Sequence, residues 1–331
     1  MKSKTVLVVG AGISGLLSAS VLKENGINVT VVDKGRGAGG RMSTRRIDLD
    51  GTCAYFDHGA QYFTVSDARF AKYVERWLAL GIIKPFDETL IRENGEPEWS
   101  EEIRYIGATG MNAATKYLAD SLRVSFSERI DKLTFNGHWI AETDKGNTFT
   151  ADALVLSPPV PQSLELLAKS NIPIPPDSEA ELKSIDYYSC ITVMLLFEGD
   201  EPILPACGIW FQGEPIAWAC DNFRKGISPV PTLTIQAGPM FSTEHWQSSD
   251  ETIVEAMLQP LKTWIRTPLK LSQVHRWRYS FAKSVLDKPF VMVESPAPLV
   301  FVGDGFVAPR VEGAAVSGIC AANALLERLK S

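Results

Sequence analysis

The sequence predicts an α/β fold in which a parallel-sheet domain, assembled from separated segments, carries a second, mixed α+β domain. Three observations lead to it. A strand, glycine turn, helix and second strand open the chain; apolar strands return near residues 151 and 299; and the long stretch between them alternates strands with prolines.

The opening unit is the most informative. Thr5–Val9 is a β-branched apolar run, as expected of a buried parallel strand. Gly10, Gly12 and Gly15 follow at G-x-G-x-x-G spacing. One glycine turns out of the strand, one lets a pyrophosphate reach the backbone, and one lets the helix pack on the sheet. A helix over 14–25 carries Leu17, Val21 and Leu22 at helical spacing, stops at Gly26, and presents Ser14 and its first N–H groups to a diphosphate. Asp33 ends the second strand, placed as a ribose-binding acid about 20 residues beyond the glycines. This is a Rossmann-like dinucleotide site, and the motif alone leaves NAD and FAD open.

Composition narrows the class. The 331 residues suffice for two domains, and 45% hydrophobic with 22% charged residues is ordinary for a soluble enzyme. A net charge of -6 without a basic run argues against a nucleic-acid partner. Met1-Lys-Ser-Lys before an apolar run resembles a signal peptide, but the run breaks at Gly10, and no stretch approaches the ~20 apolar residues of a membrane span. The five cysteines lack C-x-x-C spacing and the four histidines lack metal-ligand spacing, which predicts a reduced, cytoplasmic protein without a metal.

Asp33 leads into a loop holding Arg36, Gly39, Gly40 and Arg41, where dense glycine and arginine suggest backbone and cations against an anion. Arg36-x-x-Gly39-Gly40-Arg41 resembles the second nucleotide motif of the flavin-dependent amine oxidase superfamily. That resemblance implies contact of Arg41 with the FAD diphosphate. Asp57-His58-Gly59-Ala60-Gln61-Tyr62 is similar to the renalase branch of the superfamily, and implies that Gln61 and Tyr62 stand beside the flavin. His58 has the parity of the opposite strand face.

An amphipathic helix over 67–80 places Phe70, Tyr73, Val74 and Trp77 in the core. An inserted sheet is expected to about Trp99, and Gly110-Met111 opens a helix to about Leu122, similar to the superfamily's return to the FAD domain. A three-stranded meander turns at Asn136-Gly137 and Lys145-Gly146-Asn147. By the resemblance, backbone near Ile130 meets the adenine end. No second glycine motif of the kind an NADPH domain carries is found.

Between 160 and 290 the pattern predicts helices over 163–169, 177–184 and 250–266, and strands over 189–197, 209–212, 216–220, 232–237 and 271–279, an antiparallel sheet with helices on one side. Two polar-aromatic clusters stand out, at His245-Trp246 and at His275 to Tyr279; the second resembles a family strand. Trp277 and Arg278 have opposite parity, so at most one set faces inward. The expected limits are 1–64, 104–160 and 290–331 for the FAD-binding domain, and 65–103 and 161–289 for the substrate domain.

Last, a buried strand ends in Gly303-Asp304, and a small-residue helix follows through Gly313 and Ala314. This resembles the superfamily's closing FAD motif, with Asp304 at the ribityl or diphosphate region and the helix N-terminus at the flavin N1–C2=O edge. Reduction leaves negative charge there, and a helix N-terminus stabilises it. Cys320 does not match the motif of covalent flavin attachment, so the FAD is non-covalent.

The renalase resemblance implies an oxidase of small-molecule dihydronicotinamide nucleotides, reduced at the 2- or 6-position, with O2 as electron acceptor and hydrogen peroxide as product. Such a substrate needs orientation more than proton transfer, which casts Tyr62, His245 and Arg278 as positioning residues. An amine oxidase, with Lys283 or Lys288 near the flavin, and a non-enzymatic FAD-binding module are the alternatives.

Overall fold

A computed structural model of the chain describes residues 4–49 and 51–330. The Met1-Lys-Ser start of the signal-like segment and the outermost domain limits, 1 and 331, lie outside the described residues.

The first sheet has six strands in the order Val291–Val293, Leu299–Phe301, Ala153–Leu156, Thr5–Val9, Asn28–Val32 and Arg123–Ser125. All pair in parallel except the first, an antiparallel edge. Central strands covered on both faces must be apolar throughout, and Val6 to Val9 and Ala153 to Leu156 are buried. Strand Thr5–Val9 has Asn28–Val32 on one side and the late Ala153–Leu156 on the other, the topological switch point where ligands bind in such sheets. The first helix is Ile13–Glu24, and Gly26, at φ +81°, ends it.

In the closing helix, Val311–Lys330, Ala314 stands at the cavity between the two sheets, and the glycines are close-packing positions. A Cβ on Gly318 would lie 2.2 Å from the Ser14 carbonyl oxygen, and that on Gly313 would lie 2.1 Å from the Ala308 oxygen. Gly318 brings the two helices into backbone contact, where the Ser18 hydroxyl donates to the Gly318 carbonyl at 2.9 Å, and Gly313 packs on the loop that precedes its own helix. The meander forms as expected from Ile130–Phe135, Trp139–Thr143 and Thr148–Ala151, with Trp139 buried beneath it.

The second sheet runs Leu269–Ala282, Tyr187–Phe197, Thr232–Ala237, Ile216–Asp221, Gly208–Trp210 and Leu90–Arg92, antiparallel except for the last pair. Ile191, Val193 and Leu195 face helices Pro239–Glu244 and Asp250–Leu258 through Phe241, Ile253 and Met257. The alternate residues Met194 and Leu196 face a hairpin of Thr44–Leu49 and Thr52–Asp57. The helix expected over 250–266 stops at Leu258, because Pro260 cannot continue it and sits in a short 3-10 turn. The hairpin and helix Pro239–Glu244 were not legible as elements: the hairpin's first strand is arginine-rich, and the helix is a turn and a half long.

Candidate active site

One cavity of about 1650 Å³ lies between the two sheets. The volume exceeds the ~300–1,000 Å³ of sites for a single drug-sized ligand. Its floor is the carboxyl edge of the parallel sheet: Gly10, Asp33, Ser157, Gly303 and Asp304 follow four adjacent strands and all line it.

The three glycines of the first motif divide as the motif logic requires. A Cβ on Gly15 would stand 2.2 Å from the Gly10 carbonyl oxygen, and one on Gly10, at φ +104°, 2.3 Å from the Ser157 hydroxyl. A Cβ on Gly12 would meet no protein atom within 4 Å, so this glycine keeps open the space in front of the helix. Gly40 packs against Gly12, and Ser14 lines the cavity with a buried hydroxyl lacking a partner among the described residues. Both Asp33 oxygens accept backbone N–H groups, of Ala11 and Gly35, each at 2.5 Å. A carboxylate has about four acceptor sites, so capacity for ribose hydroxyls is left. Ile130 lines the cavity beside Glu165 and Lys169. Gly15 and Gly313 do not line it; their roles are in packing.

Arg41 and Asp304, each expected at the cofactor, bind each other. The guanidinium grips the carboxylate with two nitrogens, at 2.6 and 2.7 Å, across 263 residues of sequence. Arg41 also donates to the Ser280 carbonyl at 3.2 Å, and Asp304 accepts the Ala282 N–H at 3.3 Å. The clasp thus fastens the last strand of the second sheet to the floor of the first. Burial lowers the affinity of Arg41 for its proton, but Asp304 more than offsets this.

Gln61 and Tyr62 line the cavity on a loop held from beneath. Lys225, fully buried, donates to Asp57 at 2.7 Å and to the Gln61 carbonyl at 2.6 Å. Asp57, equally buried, also accepts from the Thr44 hydroxyl at 2.6 Å and the Met111 N–H at 2.8 Å. Burial alone would lower the Lys225 pKa, but the carboxylate raises it above the ordinary lysine value, so Lys225 stays protonated. Gln61 spends its amide N–H groups on the Asp57 and Gly59 carbonyls, at 2.7 and 3.0 Å, and keeps its amide oxygen without a partner among the described residues. The Gln236 amide donates to the same Gly59 carbonyl at 2.7 Å.

The second sheet builds the other end of the cavity. His275 and Trp277 face it together, opposite Thr192 and Cys190, whereas Arg276 points away, to Asp250 at 2.8 Å and the Trp246 and Ser248 carbonyls. The parity argument therefore holds for His275 to Trp277. It fails at Arg278: a bulge sets Ser189 alone against three residues, 278–280, and leaves exposed Arg278 on the rim between the cavity and a smaller pocket. His245 is not among the lining residues. It follows helix Pro239–Glu244, stacked on Phe241 at 4.0 Å on the far side of the sheet.

His58 is the reverse case. Its strand ends at Asp57, so alternation no longer applies, and the ring turns into the wall at 4% exposure. It stacks on Trp277 at 5.2 Å, and the Trp277 indole donates to the His58 carbonyl at 2.8 Å. Burial first, then His275 and Arg45, push its pKa down to about 3; burial and Arg45 also lower His275. Both imidazoles are therefore neutral at pH 7. Trp210 and Trp218, ring centroids 4.8 Å apart, and Arg45 complete this end; sequence reasoning did not single them out.

The residues fit an FAD. The glycine cradle, the helix N-terminus, Asp33 and the unpartnered Ser14 hydroxyl suit the nucleotide, and the Gln61 oxygen suits a ring N–H. Among the described residues no group of three or more His, Cys, Asp or Glu could hold a metal, and no helix is long and apolar enough to cross a membrane.

Comparison with known proteins gives the same picture. The family model of flavin containing amine oxidoreductases matches residues 80–326, and that of NAD(P)-binding Rossmann-like domains matches residues 8–77. Renalase of Mus musculus is 28% identical, over 95% of this chain and 96% of its own. Among solved structures, a putative protoporphyrinogen oxidase from Exiguobacterium superposes with a TM-score of 0.75 at 14% identity over 100% of both chains. Putrescine oxidase bound to putrescine gives 0.69 at 15%, over 98% of this chain and 99% of that one. At such identities the superpositions establish the fold.

Proposed function

Since this chain belongs to the flavin-containing amine oxidoreductase family and is an FAD-dependent oxidoreductase, we propose that its substrates are dihydronicotinamide nucleotides reduced at the 2- or 6-position. Hydride leaves the substrate, β-NAD(P)+ is released, and O2 takes the electrons as hydrogen peroxide. Bound FAD supplies the two-electron acceptor and the route to O2.

The observation that carries this reading is the charge of the substrate end. Arg45, Arg46 and Arg278 line it, with Arg276 turned away to Asp250; its carboxylate, Asp48, is held by Arg46 at 2.9 Å. Glu128, Asp131 and Glu165 belong to the opposite end, around Ile130. A protonated amine is repelled by such a chamber and a dinucleotide is drawn in. The flat walls of Trp277, His58, Tyr62 and Trp218 suit a pyridine ring. A dihydropyridine gives up hydride without a general base, and neutral His58 and His275 orient it without competing for protons.

An amine oxidase is the second reading, favoured by the same aromatic walls. The lysines it would use are engaged elsewhere: Lys283 stands 3.6 Å from Asp186 and Lys288 2.6 Å from Glu181, neither lining the cavity, and Lys225 is locked to Asp57.

Anaerobic bleaching of the purified flavoprotein separates the two. The 2- and 6-dihydro isomers of NAD are expected to bleach it rapidly, with β-NAD+ as product and peroxide on admitting air. Bleaching by primary amines alone would refute the proposal.

A further inference from the structure

We propose that Arg45 is the anion anchor of the substrate chamber, binding a phosphate of the dinucleotide whose oxidation is proposed above; the inference rests on that reading.

The strand pattern makes Arg45 anomalous. On strand Thr44–Leu49 the residues of its parity, Ile47 and Leu49, pack with Leu271 and Val230 against buried Met194 and Leu196. Arg46, of the other parity, is exposed and bound to Asp48. Arg45 therefore occupies an inward-facing position where the alternation calls for an apolar side chain.

Its guanidinium is also uncommitted. Arg41 is spent on Asp304 and Arg276 on Asp250, but Arg45 has no ion pair among the described residues, and its Nε is buried without a hydrogen-bond partner. A buried, unpartnered donor costs stability unless something fills it, and a planar cationic fork matches phosphate oxygens. Its setting is complementary. The neighbouring imidazoles of His58 and His275 are uncharged and do not compete for the anion, and buried His58 offers an unpartnered Nδ1 on the same wall. The reduced pyridine ring of the substrate is neutral, so its negative charge lies on the phosphates that Arg45 would hold.

The test is ligand binding to the FAD-loaded protein, read as perturbation of the flavin absorbance by β-NAD+ and by nicotinamide riboside, which lacks phosphate. Arg45→Gln is expected to weaken β-NAD+ binding about 10- to 100-fold, the range for a hydrogen-bonded charge. The riboside should shift less than about threefold, and the salt dependence expected of β-NAD+ binding to the parent protein should flatten in the variant. Arg45→Lys, keeping charge without the fork, should recover part of the loss; it and the parent salt titration keep the test decisive if Arg45→Gln fails to fold. Equal loss for both ligands, unchanged β-NAD+ binding, salt-independent binding to the parent, or loss of FAD on substitution would each overturn the assignment. Failure of the dihydro isomers to bleach the parent flavin refutes the proposed reaction instead, before any variant is made.

Discussion

Replacing Lys225 by methionine tests whether the cavity wall depends on a buried ion pair. Lys225 and Asp57 are both at 0% side-chain exposure, and the ammonium holds the Asp57 carboxylate and the Gln61 carbonyl together. Methionine fills similar volume but leaves Asp57 charged, with only the Thr44 hydroxyl and the Met111 N–H to stabilise it. Removing one partner of a buried pair costs about 3–5 kcal/mol. Unfolding entropy near 2.1 cal/mol/K per residue gives roughly 0.7 kcal/mol/K for 331 residues, so Tm should fall by about 4–7 °C.

The second effect is on the cofactor. Without Lys225 the Gln61 carbonyl loses its donor, and the 59–62 loop lining the cavity keeps only its anchors at the Gly59 end, from Gln236 and Arg41. Faster FAD release is expected, measured by the recovery of flavin fluorescence on dilution. Adding Asp57→Asn to Lys225→Met removes the stranded charge while keeping an acceptor for Thr44 and Met111, and should restore about half of the lost stability or more. The assay is thermal unfolding of both variants with and without FAD. A Lys225→Met protein melting within about 1 °C of the parent would refute the reasoning, as would a double variant no more stable than the single one.

Two further outcomes follow from the geometry. Gly12→Ala introduces a Cβ that meets no protein atom, so the chain should fold normally and bind FAD at least tenfold more weakly; Gly15→Ala drives a Cβ to 2.2 Å from the Gly10 carbonyl and should lose several kcal/mol of stability. Fluorescence titration and chemical denaturation separate the two defects. For His58, held to about 3, the unfolded chain takes up a proton near pH 6.5 that the folded chain refuses, so stability falls as pH drops from 6.5 towards 3. At about 1.4 kcal/mol per pH unit this reaches roughly 4–5 kcal/mol, and His58→Gln should flatten that limb of a denaturation profile recorded against pH.

The nucleotide end of the cavity was legible because its chemistry is local and made largely of backbone. Gly10, Gly12 and Gly15 do their work within one turn of chain, and Asp33 ends the next strand. The substrate end was less legible because it is made of side chains whose direction is a tertiary property. His245 looked like a site residue beside Trp246, but its helix packs on the far face of the sheet. His58 looked outward until its strand was seen to end one residue earlier. Lys225 lies in a polar turn, with nothing nearby to announce a partner 168 residues away.

The Arg41–Asp304 clasp shows why motif resemblance could point to both residues without giving their arrangement. Each motif was expected to reach the cofactor independently. A guanidinium that lines the cavity beside a carboxylate cannot avoid the pairing, because an unpaired buried carboxylate is costlier than a shared one. Pairing also serves the site. Arg41 follows the glycine loop, Ser280 and Ala282 lie on the second sheet, and Asp304 follows the last parallel strand. Holding these segments within hydrogen-bonding distance makes the nucleotide cradle and the substrate chamber walls of one cavity. An arrangement that depends on three segments meeting has no signature in any one of them.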